Sequence, residues 1–469
     1  MSRLVVISNR VAVPKARGAA GAQGGLAGAL NAALGKHGGT WFGWSGEECA
    51  EFTGELSRHD QDGVTIATVD LPAQDVEEYY NGYANSTLWP LFHYRLDLTA
   101  YESEFGRGYE RVNERFAEAA APLIEANDLV WVHDYHLIPL GERLRSRGIS
   151  NRLGFFLHIP WPPTRLFVSL PFHERLVRTM LAYDVLGFQT QEWLDSFLHY
   201  CRNELGAQVD EATGTVRFEG HTVLAKAYPI GVDWDHLQGQ LDTGEARQAG
   251  ARLMASTRHR TTMIGVDRLD YSKGLPERID GIARLFERYP ERVGELVFVQ
   301  IAPPSREDVE SYRQIRALLE RKTGQVNGAF SEVDKVPIRY VNRGHSLAEL
   351  MGFYRASKIG LVTPLRDGMN LVAKEYVAAQ DPDDPGVLIL SRFAGAAQQL
   401  GGAGDDDEGA VLVNPHSPDD LARAIRTALD MEPAERKARY DAMIGTVRDD
   451  HVHAWTRDFV ADLSGGEAA

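Results

Sequence analysis

The strongest constraint on the fold is an alternation that runs through most of the 469 residues. Short aliphatic and β-branched runs predict strands at Leu4–Ser8, Val64–Val69, Leu129–Val132, Leu153–Leu157 and Val185–Phe188. A second set follows at Met263–Val266, Leu296–Ile301, Ile338–Val341, Ile359–Val362 and Val387–Leu390. Helical patterns separate them at Leu26–Leu34, Tyr109–Glu125, Ile138–Arg147, Phe172–Leu181, Glu192–Leu205, Pro276–Tyr289, Arg306–Arg321, Leu347–Ala356 and Pro418–Leu429. Such alternation predicts an α/β chain with parallel sheets covered by helices on both faces. The length exceeds one ordinary core. The exit Tyr228-Pro229-Ile230-Gly231-Val232-Asp233 is the best division, because a polar helical stretch and a fresh strand follow it. The expected organisation is two Rossmann-like domains, 1–233 and 234–450, with a ligand cleft between them, and a C-terminal helix and tail over 451–469 that packs back on the first.

Composition narrows the partners. Lys+Arg 50 against Asp+Glu 66 gives a net charge of −16, which disfavours nucleic acid or an anionic membrane surface. A local basic pocket remains compatible with that balance. Cys49 and Cys201 form neither a disulfide framework nor a metal-like spacing, and a reducing cytoplasm fits best. The opening MSRLVVISNRV has too short an apolar run for a signal peptide and reads as a first strand. The run Asp405-Asp406-Asp407-Glu408 reads as a solvated loop.

Five segments could carry chemistry. In Gly360–Gln380 a strand breaks into Arg366-Asp367-Gly368-Met369-Asn370, and a helix follows over Leu371–Ala379. Ligands of open α/β sheets bind at such junctions, and the first N–H groups of the helix suit a phosphate. Asp367 and Glu375, eight positions apart, could hold a sugar and a ribose, or could be a capping residue and an exposed helical charge. After the first strand, Ser8-Asn9-Arg10 leads to Gly24-Gly25, a weak signal for close backbone approach and no complete phosphate loop. At Trp131–His136, Asp134 could accept sugar hydroxyls or cap the next helix, and the His133/His136 pair lacks a third metal ligand. His158 ends a strand before Pro160 and Pro162. In Asp267–Gly274, Arg268 and Lys273 could grip a diphosphate, with Asp267 and Asp270 opposing them. Tyr80, Trp89 and Tyr94 could line a sugar pocket or belong to the core, and Arg306 is a third candidate anion contact.

Taken together, SRLVVISNR, GGTWFGWSG, LWPLFHYRLDL, HDYHL, GFFLHIPWP, DRLDYSKGLPER and TPLRDGMNLVAKEYVAAQDP resemble, in order and over nearly the whole chain, the bacterial trehalose-6-phosphate synthases. The resemblance implies a retaining glycosyltransferase of the GT-B fold. It would move glucose from UDP-glucose to glucose 6-phosphate, giving α,α-trehalose 6-phosphate and UDP. The resemblance further implies no cofactor, no essential metal, and a homo-oligomer, dimer or tetramer.

By resemblance, Arg10, Tyr80 and Arg306 hold the acceptor phosphate, and Asp134, Trp41 and Trp89 line the acceptor sugar. Gly24 and Gly25 close over the donor, whose diphosphate is gripped by Arg268 and Lys273. Asp367 contacts the donor glucose, the backbone of Leu371, Val372, Ala373 and Lys374 meets the donor, and Glu375 takes the ribose. His158 sits beside the anomeric centre, and the backbone of His345 meets the base. His345 stands where an apolar residue is common, so GDP- or ADP-glucose, another phosphorylated acceptor, or a non-catalytic sugar-phosphate sensor remain alternatives. The Arg17–Gln23 and Gly401–Gly409 loops read as long for the family. The short stretch after the last helix implies no fused phosphatase domain.

Overall fold

The computed structural model describes residues 3–11, 28, 30, 34, 38–61, 63–257, 260–306, 309–402 and 408–465. Its contacts divide the chain into two units. The first runs to Ile230 and takes in the C-terminal segment from Val452; the second is Gly231–His451. The passage between them falls inside the Tyr228–Asp233 exit.

Sixteen strands are described. In the first unit they are β1 (Leu4–Arg10), β2 (Gly39–Cys49), β3 (Ser57–Gln61), β4 (Val64–Pro72), β5 (Leu129–His133), β6 (Leu153–Phe156), β7 (Val185–Phe188), β8 (Gln208–Asp210), β9 (Thr215–Phe218) and β10 (His221–Ala227). The second unit has β11 (Thr261–Val266), β12 (Leu296–Ile301), β13 (Ile338–Val341), β14 (Ile359–Val362), β15 (Val387–Ser391) and β16 (Val411–Val413).

The first sheet has the order β3-β4-β2-β1-β5-β6-β7-β10-β9-β8, and the second β13-β12-β11-β14-β15-β16. From β4 to β10 the first sheet is parallel, with antiparallel strands only at its two edges. The second is parallel throughout. Parallel strands covered on both faces are continuously apolar, as β5, β12 and β14 are. In each sheet the winding reverses once, between β1 and β5 and between β11 and β14. At such a reversal the connecting loops leave in opposite directions and open a crevice at the carboxyl ends of the strands.

The helix Val452–Leu463 packs under the first sheet. Phe459 stacks on Trp131 with ring centroids 4.5 Å apart. Two strand glycines make room for it: a Cβ on Gly154 or Gly187 would come within 2.7 or 2.9 Å of the Phe459 ring. Truncating an aromatic buried in this way costs about 3–5 kcal/mol. The second unit closes around Met263, Ile279, Ile282, Phe286, Phe298, Leu361, Ile389, Leu421 and Ile425.

Several elements differ from expectation. The first long helix begins at Ser103, not Tyr109, and ends at Ala120. Val76–Leu88 forms a π-helix through the aromatic cluster. Its Gly82 lies against the Phe105 ring, which a Cβ would approach to 2.5 Å. β2 went unread because glycines and tryptophans interrupt its aliphatic pattern. The Leu26–Leu34 pattern is described only at residues 28, 30 and 34, all helical. Among the described residues no helix is long and apolar enough to cross a membrane. Cys49 and Cys201 are both free thiols.

Candidate active site

Sequence-derived site residues collect at both reversals. In the first unit Arg10 ends β1 and Asp134 directly follows β5, the neighbouring strand across the reversal. The Arg10 guanidinium lies over the Trp44 ring at 5.5 Å. Gly46, at φ +91°, closes the other side, and a Cβ there would lie 2.3 Å from Arg10 Nη2. Tyr80 meets Trp44 edge-on at 5.5 Å and stacks on His136 at 5.9 Å. The π-helix turns Tyr79 inward, where its hydroxyl donates to Asn9 Oδ1 at 2.7 Å and braces the strand end that carries Arg10. A cation and a phenol are thus held side by side on an aromatic floor, an arrangement suited to a phosphate monoester.

Asp134 has φ +74°, an uncommon conformation for a residue with a side chain. Its N–H donates to the Phe156 carbonyl at 2.8 Å, and its Oδ1 accepts from the His158 N–H at 3.3 Å. The strained turn therefore ties the exit of β5 to that of β6. Strain of this kind collects at functional sites. Trp41 and Trp89 are only 2% and 5% exposed, so each offers a ligand an edge at most. Trp41 donates from Nε1 to Ser8 Oγ at 2.9 Å, beside Arg10 in sequence.

His158 Nε2 lies 3.1 Å from Nδ1 of the fully buried His133. Burial drives the His158 imidazole down to about 3. Burial, and then repulsion from His158, holds His133 well below its ordinary range. Both rings are neutral at neutral pH and act as no acid. Their unfolded counterparts take up protons near pH 6.5. The unfolded state therefore binds more protons below that pH, and stability falls as pH falls from 6.5 toward the folded values. The loss approaches about 1.4 kcal/mol per pH unit for each histidine. Seven of the eight tryptophans lie in the first unit, so tryptophan fluorescence reports chiefly on it. Urea midpoints read that way should drop between pH 7 and pH 5. A constant midpoint contradicts the neutral pair.

In the second unit Arg268 and Lys273 follow β11, and Asp367 follows β14 across the reversal. Lys273 Nζ meets Asp367 Oδ2 at 2.5 Å, and Asn370 Nδ2 donates to the same oxygen at 3.1 Å. The loop is pinned by the Asp367 N–H donating to the Phe393 carbonyl at 3.1 Å. Beneath it, the fully buried Asp270 accepts from the Ser272 N–H at 2.9 Å and from the Tyr312 hydroxyl at 3.0 Å, with Arg306 Nη1 3.6 Å away. Burial alone would raise the Asp270 carboxyl, but Arg306, Lys273 and Arg268 bring it to about 2. One ionised carboxylate thus gathers three cations, of which Arg268 is exposed and Lys273 and Arg306 are half-buried, in a chain whose net charge is −16.

Asn370 caps the helix Leu371–Ala379 from a positive-φ backbone, its Oδ1 accepting from the Ala373 N–H at 3.3 Å. The Leu371 and Val372 N–H groups precede the first intrahelical bonds and point from the helix start. Lys374 is fully buried. Glu375 keeps some accessible surface, and the buried Tyr354 hydroxyl lies 3.4 Å from its Oε2. Burial raises its carboxyl to about 7. His345 Nδ1 pairs with Glu349 Oε2 at 3.0 Å. Arg306, at φ +48°, belongs with this second cluster in the fold.

Sequence reasoning missed Arg278. It is fully buried, donating to Asp267 Oδ2 at 2.6 Å, Thr363 Oγ1 at 2.8 Å, Gln300 Oε1 at 3.1 Å and the Lys273 carbonyl at 3.2 Å. It joins both loops of the reversal. Asp267 and Asp270, read as charges opposing the cations, are instead their internal anchors. Gly24 and Gly25 lie outside the described residues. Among the described residues no group of three His, Cys, Asp or Glu is placed to hold a metal.

The profile of Glycosyltransferase family 20 matches residues 2–465. A trehalose-6-phosphate synthase of Sinorhizobium fredii is 46% identical over 468 residues, covering 99% of this chain and 98% of its own length. One from Klebsiella pneumoniae is 45% identical, covering 99% and 95%. Among solved structures, a UDP-forming α,α-trehalose-phosphate synthase from Burkholderia xenovorans in complex with glucose 6-phosphate superposes with a TM-score of 0.93 at 43% identity, covering 99% of this chain and all of that one. An Escherichia coli structure bound with UDP-2-fluoro glucose gives 0.92 at 42% identity, covering 98% and 99%.

Proposed function

We propose that this chain, which belongs to glycosyltransferase family 20 and has the GT-B fold, transfers glucose from UDP-glucose to glucose 6-phosphate. The products are α,α-trehalose 6-phosphate and UDP. The observation that carries the reading is the cation cluster on buried Asp270, set at a sheet reversal beside a helix start. Such a site receives a diphosphate on leaving.

In this reading Arg268, Lys273 and the N–H groups of Leu371 and Val372 take the diphosphate. Asp367 holds donor glucose hydroxyls, Glu375 the ribose, and the His345 backbone the base. Arg10 and Tyr80 take the acceptor phosphate, while Asp134 and the edges of Trp41 and Trp89 bound its sugar. Arg306 is assigned to the acceptor phosphate by sequence alone. Gly24 and Gly25 are assigned to the donor by sequence alone.

The anomeric carbon–oxygen bond breaks with its electron pair leaving on the β-phosphate. The sugar gains oxocarbenium character, and the acceptor's anomeric hydroxyl attacks from the face the leaving group vacates. Its proton passes to a phosphate oxygen, so no side-chain base is required. The His158 imidazole, which burial brings down to about 3, is a weak base for that proton. Charge stabilisation at the leaving phosphate supplies the differential binding of the transition state. Fixed placement of the two sugars supplies much of the remainder.

A panel of UDP-, GDP- and ADP-glucose with and without EDTA tests donor and metal need. UDP-glucose is expected to lead, and EDTA to leave the rate unchanged. Loss of activity in EDTA would contradict the metal-independent mechanism. Arg10→Ala should raise the KM for glucose 6-phosphate about tenfold or more with donor KM unchanged, since it removes a charge-assisted contact to phosphate. A rise confined to the donor KM would overturn the acceptor assignment. We place the enzyme in the cytoplasm as a homo-oligomer, with neither nucleic acid nor membrane as partner; sedimentation of the purified protein measures the assembly.

A further inference from the structure

Successive strand exits of the first sheet are joined by one row of hydrogen bonds. The strands concerned, β5, β6, β7 and β10, are neighbours in that order. Downstream of β10, the Ile230 backbone N–H donates to Gln189 Oε1 at 3.0 Å. Gln189, the first residue after β7, sets its Nε2 3.2 Å from His158 Nδ1. His158, beyond β6, sets its Nε2 3.1 Å from Nδ1 of His133, the last residue of β5.

The direction of each proton follows from the Ile230 end. A backbone N–H only donates, so the Gln189 oxygen faces Ile230 and its amide nitrogen must face His158. That nitrogen also only donates, so His158 Nδ1 carries no proton. The one proton of the neutral ring is then on Nε2, donated to His133 Nδ1. Both nitrogens of His158 are committed. A proton added to either ring would set donor against donor. The groups that face His158 are His133, the Asp134 carboxylate that accepts its backbone N–H, Gln189, and the Phe156 and Trp455 rings.

We propose that Gln189 is a positioning residue for glucosyl transfer, acting through His158. It is 1% exposed. Its amide locks the His158 ring as the Nε2–H tautomer and so fixes the backbone at 158, which in turn holds Asp134. The same amide ties His158 to Ile230, the residue at which the chain leaves the first unit. This role rests on the reading of His158 and Asp134 as parts of the transferase site.

Two variants test it. Gln189→Leu removes both bonds. Gln189→Glu keeps the shape and the acceptor for Ile230, but presents His158 with an oxygen that requires a proton on Nδ1. In protein labelled with 15N-histidine, long-range correlation spectra should show His158 Nε2-protonated in the parent and Nδ1-protonated in Gln189→Glu. Turnover should fall about 10- to 100-fold in both variants, with KM for UDP-glucose and glucose 6-phosphate within about threefold of the parent. If Gln189→Leu does not fold, the isosteric Gln189→Glu decides. An unchanged tautomer in Gln189→Glu, or turnover within about twofold of the parent, overturns the proposal. A parent with no transferase activity overturns instead the reading on which it rests, and the tautomer still reports whether Gln189 holds His158.

Discussion

Lys273→Ala and Arg268→Ala should each lower turnover by roughly two to three orders of magnitude, the range found for removal of one preorganised donor to a developing oxyanion. The negative charge on the leaving UDP grows as the glycosidic bond stretches, and in the proposed donor site these cations stand where it grows. The Lys273 effect should be the larger. Lys273 is bonded to Asp367 at 2.5 Å, and both side chains are little exposed, at 12% and 14%. Its removal takes a positive charge from the leaving group and also leaves the Asp367 carboxylate without that charge beside the donor. Arg268 is exposed in its loop and is the weakest of the three cations that hold Asp270 ionised, so its second penalty is smaller. Steady-state kinetics at saturating glucose 6-phosphate measure both. Near-parental turnover in both variants would remove the donor assignment.

Arg278→Met should destabilise the protein by about 3–5 kcal/mol, because it leaves a buried carboxylate without its partner. Arg278 and Asp267 are 0% and 3% exposed at their side chains. Burial already raises the Asp267 carboxyl against the pull of Arg278 and Lys273, so without Arg278 it must be protonated or solvated at high cost. Replacing both partners with apolar groups removes the charge along with its partner. The double variant Arg278→Met/Asp267→Leu is therefore expected to recover most of the lost stability. It should not recover activity, since the Lys273 carbonyl and Thr363 lose the guanidinium that joins their loops. Urea unfolding followed by far-ultraviolet circular dichroism checks the first part. A double variant no more stable than the single contradicts it.

The regular part of this architecture was legible because parallel strands are buried on both faces and read as unbroken apolar runs. β7, β12, β13 and β14 and the helix Leu371–Ala379 begin and end where their patterns do. β2 hid behind its glycines and tryptophans. The π-helix has no periodicity of its own in a polar, aromatic stretch. At the site, the charges were visible but their burial was not. Asp270 reads as a loop acid and proves fully enclosed, because three cations stabilise it from around the loop. Arg278 did leave a trace: it falls three residues after Leu275 and four before Ile282, on the apolar face of its helix. A cation on that face requires an internal partner, and the preceding loop offered two acids, Asp267 and Asp270. Gln189 left less, being one polar residue after a buried strand.

In the proposed reaction glucose passes from a nucleotide to the anomeric oxygen of glucose 6-phosphate with its configuration retained. The most direct measurement is NMR of the product formed from UDP-glucose labelled with 13C at the anomeric carbon. One labelled α-anomeric carbon is expected, coupled across the oxygen to a second α-anomeric centre that bears the 6-phosphorylated ring, in amounts matching the UDP released. A β-linked product, a labelled glucoside of any other hydroxyl, or UDP released with free glucose alone would contradict it.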